Sequence, residues 1–325
     1  MRERGIKNYS RRFNIYYTQT SYLCGMKNRI HIPVVNRDER IGSVFNQLFV
    51  VINQVETCPE QVVVWDFKDS SFFHPFFLST LSIYKDSCKE KRIVCENMNG
   101  AVARYLEAIH FEKPISVEQK DDATEKLSGY NGKSYTPVCS FDTSNRDIDP
   151  IQSIIQQVIE RQSHADKKIT GPLSYLFSEL ICNICQHSQG NKGYIFSQYY
   201  KGYIHICLAD DGITVYGSYV KAKKYLDQID SEAEALKMAN EGYSTKDLPS
   251  AENRGYGIST SKAMLVNGLG GAFFMLSGNA FHRFDEASGV TYVNLPETIR
   301  WNGTVILMKI PVKVRDGFRY MDYIS

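Results

Sequence analysis

The chain has 325 residues, 43% hydrophobic and 23% charged, with a formal net charge of +2. That length accommodates two ordinary domains, each able to bury a core, and the balance is that of a globular protein. The near-neutral charge argues against nucleic acid as a partner, and no apolar run approaches the roughly 20 residues of a membrane span.

Residues 1–28 form a basic arm, with Arg2, Arg4, Lys7, Arg11, Arg12 and Lys27 against the single acid Glu3. Such an arm could touch nucleic acid or an acidic partner, but it reads first as a solvated tail. It lacks the apolar run of a secretory signal, so the cytoplasm is the expected compartment. Eight cysteines are scattered along the chain and read as reduced, mostly buried thiols. The one close pair, Cys182 and Cys185, has no second pair to complete a zinc site and falls in a helical pattern, so core packing is expected.

Residues 29–115 alternate short apolar runs with amphipathic stretches. Ile30–Val35 reads as a strand, Ser43–Val55 as a helix and Gln61–Phe67 as a buried parallel strand. A helix over Phe76–Cys88, a strand over Arg92–Glu96 and a helix over Ala101–Ile109 follow. This alternation predicts βαβ units around a mainly parallel sheet. The polar stretch Glu112–Lys133 supplies a linker, bounded at 116–133, before a second domain over 134–325. There a helix is expected over Pro150–Gln162, another from Pro172, and a hairpin over Gly193–Ala209 turning at Lys201-Gly202. Val215–Asn253 is charged and weak in strand character, and predicts helical pieces with a mobile loop. A helix after Gly257, two strands around Gly271–Arg283 and a final hairpin ending in Thr304–Ile310 complete the series.

Four short elements of the second domain carry candidate chemistry. Glu179, Asn183 and His187 are spaced by four in a helical pattern and so share one stripe. A carboxylate one turn from a carboxamide suits magnesium–phosphate chemistry, the amide oxygen as a hard ligand and the carboxylate as a base or water-orienting group. Asp210-Asp211-Gly212 ends an apolar strand, where a carboxylate can accept from an exocyclic amine; an ordinary turn uses the same residues. Arg254-Gly255-Tyr256-Gly257 leads into a helix whose first N–H groups can face phosphate oxygens. Gly303-Thr304-Val305 opens the last strand, with a hydroxyl able to complete a base contact.

In that order the four elements resemble the GHKL superfamily of gyrase B, MutL, sensor histidine kinases and anti-sigma-factor kinases, over about Pro150–Pro311. The resemblance implies an α/β sandwich of the Bergerat type binding ATP and magnesium. It implies Glu179 as general base, Asn183 as magnesium ligand, and Asp210 as adenine reader. His187, Gly212, Tyr256 and Thr304 would join the nucleotide contacts. Gly255 and Gly257 would form the phosphate loop, Val215–Asn253 a lid of low intrinsic stability, and Lys246 a lid-side phosphate contact. The Glu179/Asn183 pair is closer to the gyrase, MutL and anti-sigma branches than to most histidine kinases. Thr214 departs from the family, which usually has a glycine there, and implies a stiffer or differently shaped hinge.

Arg29–Phe111 resembles the STAS domain of anti-sigma-factor antagonists, with Asp66 at a strand end and Phe72-Phe73 after it. The phosphorylatable serine is missing: its place falls in His74-Pro75-Phe76-Phe77, while Ser70 and Ser71 lie too early. Phe72–Phe77 is expected as an exposed, Phe-rich docking face. Two functions are open on these readings. One is a magnesium-dependent ATP-binding regulator, an ATPase or serine/threonine kinase coupled to a protein partner of the STAS-like domain, with homodimerisation compatible. The other is a non-catalytic nucleotide-binding scaffold.

Overall fold

A computed structural model describes residues 28–34, 41–117, 120–144, 156, 160, 170–245 and 256–323. The basic arm (residues 1–27) and most of the helix expected over Pro150–Gln162 lie outside these residues.

The N-terminal region runs β1 (Arg29–His31), α1 (Ile41–Thr57), β2 (Val62–Asp66), α2 (Pro75–Ser87), β3 (Arg92–Glu96) and α3 (Gly100–Ala108). Its three strands form a parallel sheet in the order β1-β2-β3. Arg29 bridges the strand ends, 3.2 Å from Asp66 and 2.6 Å from Glu96. Proline stands at the start of α2, where a missing N–H costs nothing, and His74 Nδ1 caps the helix by accepting from the Phe76 N–H at 3.2 Å.

A larger mixed sheet follows. Its strands are β4 (Ile115–Ser116), β5 (Cys139–Asp142), β6 (Lys192–Tyr200), β7 (Tyr203–Asp210), β8 (Ala272–Gly278), β9 (Ala280–Asp285), β10 (Gly289–Asn294) and β11 (Trp301–Pro311). They lie in the order β10-β9-β8-β11-β7-β6-β5-β4. The β6–β7 hairpin turns at Lys201 and Gly202, both at positive φ, as a tight two-residue turn requires. The expected final hairpin is replaced by something else: β11 inserts between β7 and β8, and β10 pairs only with β9. The expected linker holds edge strand β4 and a helix, α4 (Lys120–Ser128).

Side chains alternate along the central strands, and both faces are apolar. Ile206, Leu208, Phe273, Met275, Ile306 and Met308 face α5 (Thr170–His187) and the segment around Met264–Val266. Phe196, Cys207, Phe274, Leu276, Val305 and Leu307 face the N-terminal region. Phe45 of α1 lies with its ring 4.8 Å from Phe274 and 4.9 Å from Phe281. The two regions therefore share one continuous core. Phe73, Phe76 and Phe77 are buried in it, so the face expected to be an exposed docking surface is already docked, onto the chain's own large sheet.

The segment expected as a lid forms α6 (Val215–Ala222) and α7 (Glu232–Asn240). Tyr219, Ala235, Leu236 and Met238 are buried, and α7 packs on β9 and β10. Lys262 of α8 (Tyr256–Ala263) pins it further: its ammonium donates to Asn240 Oδ1 at 3.0 Å. Residues 215–245 are thus partly packed: the two helices bury Tyr219, Ala235, Leu236 and Met238, while Val220, Leu226 and Tyr243 stay exposed.

Candidate functional site

The strongest concentration of chemistry is at the C-terminal end of β7. Asp210 is 2% exposed, and its Oδ1 accepts from the Gly212 N–H at 2.9 Å. Burial pushes the carboxyl up to about 8; the neighbouring charge of Asp211 adds to this, while backbone N–H groups at Gly212 and Thr304 oppose it. Gly303 lies across it at φ 92°, and a Cβ there would sit 2.6 Å from Oδ1. Only glycine permits both that backbone and that approach.

Supporting groups surround the carboxyl. Ser277 Oγ donates to the Gly303 carbonyl at 2.8 Å and lies 3.2 Å from Thr304 Oγ1. The same Ser277 oxygen accepts from the Val215 N–H at 2.9 Å, tying the start of α6 to β8 and β11. Trp301, 1% exposed, donates its indole N–H to the Asp210 carbonyl at 3.4 Å. On the other side, the Ile213 N–H donates to the Ser188 carbonyl at 2.6 Å, joining the loop after β7 to the end of α5. A Cβ on Gly212 would land on that same carbonyl.

Asp210, Gly212 and Thr304 therefore lie together at this end of the sheet. Glu179 and Asn183 lie half-buried one turn apart on α5, which packs on β7. Lys246 and Gly255 fall outside the described residues, as do the side chains at His187, Tyr256 and Gly257, so the phosphate end expected there is not described. Thr214 is the N-cap of α6, its hydroxyl accepting from the Gly217 N–H at 2.9 Å.

No family model matches the chain, and no curated protein matches it.

Ser277, Trp301 and Asp211 were not singled out from sequence. Asp211 Oδ1 accepts from the N–H groups of Asn191 and Lys192, both at 2.9 Å, and so holds the α5–β6 loop. The doubled aspartate after an apolar strand was its only signal. Among the described residues, no group of three His, Cys, Asp or Glu could hold a metal ion, and no helix is long and apolar enough to cross a membrane.

Chemically, the β7 end offers a buried carboxyl walled by backbone at Gly212 and Gly303. A ring bearing an amino group suits the carboxyl chemically, because the amine supplies a donor to it.

Proposed function

We propose that the protein is a magnesium-dependent ATP-binding regulator of GHKL type, with the adenine amine received by Asp210. The observation that carries this reading is the carboxyl at the end of β7: nearly sealed from water, held by the Gly212 N–H, and overlaid by a glycine at φ 92°. Such a group is costly to bury and is retained where a ligand donor repays the cost.

Glu179 and Asn183 supply the donor types of a phosphate-bound magnesium. In this reading Asn183 would hold the ion through its amide oxygen, and the Glu179 carboxylate would orient or deprotonate a water. Magnesium would supply charge neutralisation of the phosphates. Partner contacts would report the nucleotide state.

A second reading, a nucleotide-stabilised scaffold without turnover, is favoured by the continuous core between the two regions. Phosphate release measured with and without magnesium separates the two. The regulator predicts slow, magnesium-dependent release that Glu179→Ala abolishes with ATP affinity kept, while Asn183→Ala also weakens magnesium-dependent binding. ATP binding with no release, alone or with a partner, selects the scaffold. Absence of ATP binding overturns both.

A further inference from the structure

The C-terminal half of α2 does more than cover the large sheet. Three links join it to the residues around Asp210. Tyr84 lies with its ring 5.9 Å from Trp301, whose indole N–H donates to the Asp210 carbonyl. Lys89, just beyond the helix, pairs with Asp211 Oδ2 at 3.6 Å. Asp86 accepts from the Lys192 ammonium at 2.9 Å and from the Tyr194 hydroxyl at 2.8 Å, on the strand next to β7. Tyr84 in turn donates to Glu56 of α1 at 2.5 Å, so this corner is continuous with the rest of the N-terminal region.

We infer that Trp301 and Tyr84 are positioning residues for Asp210, and that α2 is the element through which occupancy of the β7-end site reaches the N-terminal region. The inference rests on the proposed nucleotide site and adds its route of regulation. A ligand pulling on the Asp210 carboxyl acts on a backbone that Trp301 holds from the other side, and the aromatic pair transmits any shift to α2. Coupling of this kind requires a contact whose strength differs between empty and occupied states.

Hydrogen exchange on the full chain, with and without magnesium–ADP, tests this. Binding should slow exchange at least about threefold in residues 81–90 as well as in 208–214, with α3 unchanged. Trp301→Phe keeps an apolar ring but loses the donor. It should weaken ADP binding about three- to tenfold and abolish the response of 81–90. It should also shift the pH profile of ADP binding, which a purely structural role would leave in place. Lys89→Ala, at an exposed side chain, keeps the fold and should reduce the response. ADP that binds and protects 208–214 without slowing 81–90 in the wild-type protein would overturn the inference and leave the site standing. A response of 81–90 undiminished in Trp301→Phe would also overturn it. Absence of ADP binding would remove the proposed function, and the inference with it.

Discussion

Asp210 carries its proton at pH 7 in the empty protein, because burial has pushed the carboxyl up to about 8. A ligand amine donates more strongly to the ionised carboxylate than to the neutral acid, so binding favours the ionised form, lowers the pKa and releases the proton. The sign follows: ADP affinity should rise with pH up to about 8 and level off above it. Calorimetry at pH 7 in two buffers of different ionisation heat should register proton release; none would contradict the acceptor role. Glycines give a second residue-level contrast. Gly303→Ala drives a methyl into the Asp210 main-chain carbonyl and against Oδ1 at a left-handed φ, whereas Gly202, at φ 81° in the β6–β7 turn, has nothing within 4 Å. Both substitutions should cost roughly 1–2 kcal/mol of backbone strain. Only Gly303→Ala should also abolish ADP binding, as thermal unfolding with and without ADP will record.

At the scale of elements, the helices and strands of the N-terminal region were readable because their periodicities are clean. Val62–Asp66 is a continuous β-branched and aromatic run, and α1 places Val44, Leu48, Val51, Ile52 and Val55 on one face. The Asp210–Gly212 corner was readable from a charged residue closing an apolar strand. Edge strand β4 and α4 were not, since the two residues of β4 and the polar α4 carry no periodic signal. The position of β11 was equally hidden: Thr304–Ile310 reads as a strand, but only its partners on β7 and β8 fix where it inserts. The packed part of the lid segment was missed because its charges mask a small apolar set of Tyr219, Ile229, Ala235 and Met238. Lys262 adds to that packing. Burial among Asn240, Tyr292 and Phe284 pushes its ammonium down to about 8, so it acts as a donor inside the fold rather than a free surface cation.

Across the whole molecule, the decisive feature is that both faces of the large sheet are covered. The signal was present in β7 and β8, where Ile204–Ala209 and Ala272–Leu276 are apolar on both faces apart from His205, a pattern expected of doubly covered strands. Which element covers the second face lies beyond periodicity, because any apolar helix satisfies it. The seam carries a cost in acid. His205 is buried beneath His74, with ring centroids 5.2 Å apart, and burial with nearby Lys309 lowers both, His74 to about 4. His282, stacked on Tyr292, is lowered to about 3, chiefly by burial and then by Lys262. The folded state thus refuses protons that the unfolded chain takes up below pH 6.5. The histidine contribution to stability should be complete above that value and be lost from pH 6.5 towards 4, by up to about 1.4 kcal/mol per pH unit for each histidine, with Asp210, protonated in the fold below about 8, offsetting one of them. Urea midpoints at pH 7 and pH 5 will show it. His74→Asn, which keeps a capping acceptor, should flatten the slope, and an unchanged slope would assign the acid sensitivity elsewhere.

The claim on which the functional account stands is that Asp210 receives the amino group of an adenine nucleotide. Titration calorimetry of ADP into the wild-type protein and Asp210→Ala, at pH 8 with magnesium, tests it most directly. The account predicts saturable binding to the wild type and an affinity lower by on the order of tenfold to a hundredfold in Asp210→Ala, with the unfolding transition of the variant still cooperative. Equal ADP affinity in the two proteins, or no binding to the wild type, would contradict it.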